Sequence, residues 1–68
     1  MRKWMVEARH AKGLTARAAA ELLDMSEPYY CMIECGKRMP KFSLSFALAL
    51  SKVLGVTMQE IIDREGIV

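Results

Sequence analysis

Lys37, Arg38 and Lys41 crowd one short stretch of the chain, directly after a run that favours a helix. Cations grouped this way neutralise phosphate oxygens without reading anything more specific. Cys31 and Cys35 are the only thiols, and His10 is the only histidine, far from both in sequence. A zinc site needs more ligands than these supply. On consecutive turns of a helix, two cysteines are also poorly placed for a disulfide. Free reduced thiols are the expectation, with no metal and no cofactor. No Ser–His–Asp set, paired-acid arrangement or phosphate loop is visible, which argues against an enzyme.

Composition narrows the class further. The chain has 68 residues, enough for one domain spanning 1–68. At this size roughly 60% of the unfolded surface is buried on folding, so stability is marginal and a partner subunit helps. A hydrophobic content of 53% supplies a core and excludes a disordered chain. No apolar run reaches the ~18 residues of a membrane helix. Met1-Arg2-Lys3 is followed within ten residues by Glu7, Arg9 and His10, which breaks any signal-peptide pattern. A cytoplasmic protein is expected. The net charge is only +2, so composition by itself supports nucleic-acid binding weakly. Its distribution says more: the Lys37–Lys41 stretch makes one pole basic, and Glu60, Asp63 and Glu65 make the other acidic.

The elements that must position these residues are all helical. A first helix is predicted from Arg2 to Lys12, burying Met5, Ala8 and Trp4 and ending at Gly13. Thr15 reads as the N-cap of a second helix that ends at Leu23. Its consecutive alanines permit close backbone approach. Asp24-Met25-Ser26 is a turn in which Ser26 caps a third helix, with Pro28 in its first turn and Tyr30 and Ile33 facing inward. Gly36 ends that helix. Lys41 or Ser43 opens a fourth, which runs through Phe46, Ala47, Leu50 and Leu54 to Gly55. Thr57-Met58-Gln59-Glu60 is a capping box for a fifth helix over residues 58–64. The fold class is therefore all-α, a compact bundle of about five short helices. Two short helices joined by a tight turn and followed by cationic residues suit a DNA-binding helix-turn-helix.

The ordered set Gly13-Leu14-Thr15, Ala20, Leu23, Ser26, Ile33-Glu34, Gly36-Lys37-Arg38, Pro40 and Leu54-Gly55-Val56 resembles the lambda-repressor-like Cro/Xre helix-turn-helix family. The resemblance runs from Met5 to Ile62, and its specificity lies in the order of the set rather than in any one element. It implies that the third helix lies in the major groove, and that members bind palindromic operators as dimers with half-sites about one helical turn apart. It implies a structural ion pair between Arg9 and Glu34, tying the first helix to the third.

The resemblance also assigns the contact positions. Base reading falls on Glu27, Pro28, Cys31 and Met32. Relatives often carry Gln, Ser, Thr or Arg there, and this chain departs from that pattern: Pro28 and Met32 cannot donate a hydrogen bond. Glu27 can accept from a cytosine amino group, or serve as a solvated carboxylate at the helix start. Met32 and Tyr29 can press on thymine methyl groups. The family's phosphate-touching glutamine is replaced by Ala16, leaving Thr15, Arg17, Tyr29, Lys37, Arg38 and Lys41 as phosphate contacts. Arg17 reads equally as solvated surface charge, whereas for Lys37, Arg38 and Lys41 phosphate contact is the favoured reading over a surface-solubility role.

Phe46, Ile61, Ile62, Ile67 and Val68 exceed what so small a core needs. An isologous homodimer through Ile61, Ile62, Ile67 and Val68 is expected, or else Ile67 and Val68 fold back on the first helix. The expected function is a sequence-specific transcriptional regulator, a small repressor of bacterial, phage or mobile-element origin, with double-stranded DNA as partner. The alternative is a protein-interaction module, such as an antitoxin or antirepressor, that uses the apolar face of the third helix.

Overall fold

A computed structural model describes residues 1–66. It contains α1 (Lys3–Ala11), α2 (Ala16–Leu22), α3 (Glu27–Cys35), α4 (Leu44–Leu54) and α5 (Met58–Glu65), and no strand among the described residues. The fold is all-helical, as the sequence predicts.

Local chemistry starts four of the five helices in the same way. The hydroxyls of Thr15, Ser26, Ser43 and Thr57 accept from the backbone N–H three residues on, at 3.1, 3.3, 3.2 and 3.1 Å. Each bond satisfies one amide that a helix start otherwise leaves unpaired. Ser43, not Lys41, is therefore the start of α4. Pro28 occupies the first turn of α3, where its missing N–H costs no intrahelical bond.

The corner between α2 and α3 brings these two helices into the most extensive helix–helix contact of the molecule. Ala19 and Ala20 of α2 are buried, and their methyl-sized side chains permit close packing of the helix. Asp24 takes a left-handed conformation at φ 58° in the connecting turn, a conformation that short polar side chains tolerate best.

Met5, Tyr30, Ile33, Leu50 and Ile61 are the largest fully buried side chains, and Phe42, Phe46, Ala47 and Leu54 complete the core around them. This corrects the sequence reading of α5. Ile61 has no exposed surface and cannot form part of a dimer interface. Phe46 is likewise buried rather than left over. Ile62, the residue after Ile61, is half-buried. Ile67 and Val68 lie outside the described residues. Among the described residues, the large apolar side chains that are exposed are Met1, Leu22, Tyr29, Leu44 and Leu48. No described helix is long and apolar enough to cross a membrane.

Candidate nucleic-acid interface

Because Tyr30, Ile33 and Glu34 are buried, the helical period fixes which side of α3 faces out. Pro28, Met32 and Cys35 lie along the middle of that side, flanked by Glu27 and Cys31 on one edge and Tyr29 on the other. Glu27, Pro28, Tyr29 and Cys35 are exposed, while Cys31 and Met32 are half-buried. Burial, and then the Glu27 carboxylate, push the Cys31 thiol above its ordinary range, so it is held protonated. Cys35 joins this outward stripe although the sequence reading considered it only as a thiol. Its place on α3, one turn beyond Cys31, was the signal available.

α3 is fixed from behind by Arg9 of α1. Arg9 Nε donates to Glu34 Oε2 at 2.9 Å, and Arg9 Nη1 donates to the Leu14 carbonyl at 3.1 Å. Both side chains of the pair are nearly enclosed, at 12% and 7% exposure. The bond to Glu34 holds the Arg9 guanidinium firmly protonated, against the opposing effect of burial. The Tyr30 hydroxyl is buried beside this pair, yet no acceptor meets it with hydrogen-bond geometry.

The cationic loop begins on the last turn of α3. Gly36 adopts φ 81°, a left-handed conformation that a residue with a Cβ enters only with strain, and this turns the chain back on the helix. The Lys37 and Arg38 amides then donate to the Met32 carbonyl at 2.9 and 3.3 Å. The two cationic residues are thereby fixed directly beyond the C-terminal end of α3. Lys37, Arg38 and Lys41 are all exposed. At the start of α2, Thr15 and Arg17 are also exposed, and Arg17 forms a loose 3.5 Å pair with Glu21, of the kind that contributes little.

Sequence reasoning missed a second anchor of this loop. Arg2 is buried, and all five of its guanidinium N–H donors are engaged: with Glu65 Oε1 at 2.9 Å and with the carbonyls of Ile33, Arg38, Met39 and Pro40. Its guanidinium carbon also stands 4.4 Å from the centre of the Phe42 ring. Glu65 takes a second bond on its other oxygen from the Trp4 indole at 2.7 Å. Glu65 is therefore part of a buried network and not of a free acidic pole. No described group of His, Cys, Asp and Glu could hold a metal ion.

Comparison with known proteins agrees with this geometry. A family described as a helix-turn-helix domain matches residues 7–61. An uncharacterized HTH-type transcriptional regulator of Bacillus subtilis, YqaF, is 40% identical over 45 residues, covering 66% of this chain and 59% of that protein. The chain thus spans little more than half the length of that curated relative. No solved structure matches the chain significantly. The matched residues include the whole of α2, its turn, α3 and α4, with parts of α1 and α5, and the chain belongs to the helix-turn-helix domain family.

Proposed function

We propose that this chain is a sequence-specific DNA-binding transcriptional regulator of the Cro/Xre kind, a small repressor acting in the cytoplasm, with residues 1–68 as one DNA-binding unit. The observation that carries the reading is the exposed outer face of α3 continuing directly into a loop whose cations are fixed to its last turn. In this reading α3 enters the major groove. Glu27 accepts from a cytosine amino group, and Met32 and Cys31 make apolar contact with base edges, with Pro28 packed against them. Lys37, Arg38, Lys41 and Arg17 neutralise phosphates, and the hydroxyls of Thr15 and Tyr29 donate hydrogen bonds to them. Arg9 and Glu34 serve as the structural tie that keeps α3 in place.

The reading includes a homodimer on a palindromic operator. With Ile61 committed to the core, Ile62 of α5 remains for the contact, together with the terminal Ile67 and Val68, which lie outside the described residues. Leu44 and Leu48 form a further exposed apolar pair on α4.

Selection of bound duplexes from a random library tests the reading. A palindromic consensus with half-sites about ten base pairs apart is the expected result. Enrichment of no sequence, with α3 instead retaining a protein partner, would favour the interaction-module alternative, which the apolar Pro28 and Met32 positions otherwise leave open.

A further inference from the structure

We infer that Arg2 and Glu65 form a clamp that sets the position of the cationic loop, so that the end of α5 governs how strongly the protein holds a phosphate backbone. The inference rests on the DNA-binding reading above and adds residues that touch no DNA. Neither Arg2 nor Glu65 belongs to α3 or to the loop.

Residues 36–42 run from the end of α3 to the cap of α4 without regular secondary structure, and no backbone amide donates to their carbonyls. Met39 is held at φ 52°, a left-handed conformation unusual for a side chain of its shape. A strained conformation persists only where surrounding contacts impose it. Arg2 supplies those contacts. Its Nη1 donates to the Ile33 carbonyl at 2.6 Å and to that of Arg38 at 3.3 Å. Its Nη2 donates to the Met39 carbonyl and, at 3.3 Å, to that of Pro40. One planar group thus ties the end of α3 to consecutive carbonyls of the loop, and the side chains of Lys37, Arg38 and Lys41 project from this fixed backbone.

The clamp has a second end. Nε of Arg2 spans 63 positions of sequence to reach Glu65 at 2.9 Å, and both side chains are 9% exposed. Glu65 is itself oriented by the Trp4 indole at 2.7 Å. The Arg2 backbone amide donates to the Glu34 carbonyl at 2.6 Å, which seats the residue against the last turn of α3. A buried guanidinium without its carboxylate would be drawn toward water and away from the loop carbonyls. Lysine cannot substitute for it. Its ammonium has three donors and no planar fork, so it cannot reach Glu65 and four carbonyls together.

The test is a double-mutant cycle on the full chain, read by titration against a short duplex of mixed sequence at several salt concentrations. Phosphate contacts are independent of sequence, so no operator is needed. The variants are Arg2→Lys and the loop variant Lys37→Gln with Arg38→Gln, alone and combined. Circular dichroism first establishes that each is folded. If Arg2 acts through the loop, Arg2→Lys weakens binding about tenfold at 0.1 M salt and lowers the salt slope by about one. In the Lys37→Gln, Arg38→Gln background, the same change then has little further effect. Glu65→Gln gives a weaker change in the same direction. It also alters the emission of Trp4, the only tryptophan, whose indole loses its charged acceptor. Should Arg2→Lys fail to fold, the same cycle is read on Glu65→Gln.

Additive effects, or an unchanged salt slope in a folded variant, would overturn the clamp while leaving the DNA-binding reading intact. Wild-type protein that shows no salt-dependent retention of duplex would overturn that reading and the inference with it.

Discussion

Arg9 and Glu34, 25 positions apart in sequence, meet through a 2.9 Å bond between Nε and Oε2 that joins α1 to the back of α3. Their near-complete enclosure means that neither charge is compensated by water once its partner is removed. Glu34→Ala or Arg9→Ala should therefore destabilise the fold by about 3–5 kcal/mol. Replacing both with apolar residues of similar size, Arg9→Met with Glu34→Leu, should recover most of that loss. Urea denaturation monitored by circular dichroism measures both effects. Single variants within about 0.5 kcal/mol of wild type would show the pair to be a surface interaction instead.

The Tyr30 hydroxyl gives a pH-dependent signature of the same region. Burial, and after it the Glu34 carboxylate, raise its pKa above the ordinary value near 10. The folded protein therefore binds that proton more tightly than the unfolded chain does. This contribution to stability is fully present below about pH 10 and declines as the pH rises above it. Tyr30→Phe should remove that alkaline decline. Near neutral pH it should differ from wild type by no more than about 1 kcal/mol, because the hydroxyl has no acceptor to lose. Denaturation midpoints of both proteins between neutral and strongly alkaline pH check this, and parallel curves would contradict it.

The two thiols of α3 should separate chemically. Cys35 is exposed, whereas Cys31 is half-buried and kept protonated by burial and by Glu27. Alkylation proceeds through the thiolate, so iodoacetamide should modify Cys35 well before Cys31 near neutral pH. Both lie on the outward side of α3, so bound duplex should slow both reactions. Mass spectrometry of the time course, with and without DNA, reports the order and the protection. Equal rates at Cys31 in the two conditions would remove it from the interface.

How much of this was legible in the sequence follows the range of each interaction. Thr15, Ser26 and Thr57 could be read as caps because a cap acts on an amide three residues away. Gly36 could be read as a stop for the same reason, since its left-handed conformation serves the helix immediately before it. Arg2 could not be read in this way. Four of its partners are backbone carbonyls, which carry no side-chain identity, and its ion-pair partner lies at the other end of the chain. From sequence alone Glu65 therefore groups with Glu60 and Asp63 as an acidic pole. Ile61 was misjudged for a different reason. Neighbouring isoleucines on a short helix do not reveal which one points inward until the helices around them are placed, and Ile61 proves to be core while Ile62 stays partly open.

The central claim is that α3 and the loop behind it hold DNA, and the salt dependence of duplex binding tests it most directly. Titration of wild-type protein and of Lys37→Glu with Arg38→Glu across a range of salt concentrations gives one slope for each. Each phosphate contact adds about 0.9 to the slope of log affinity against log salt. The account predicts steep salt dependence for wild type, and for the variant a slope smaller by about two with binding at least about a hundredfold weaker at 0.1 M salt. Two folded proteins with the same slope and affinity would contradict it and move the interface away from this face.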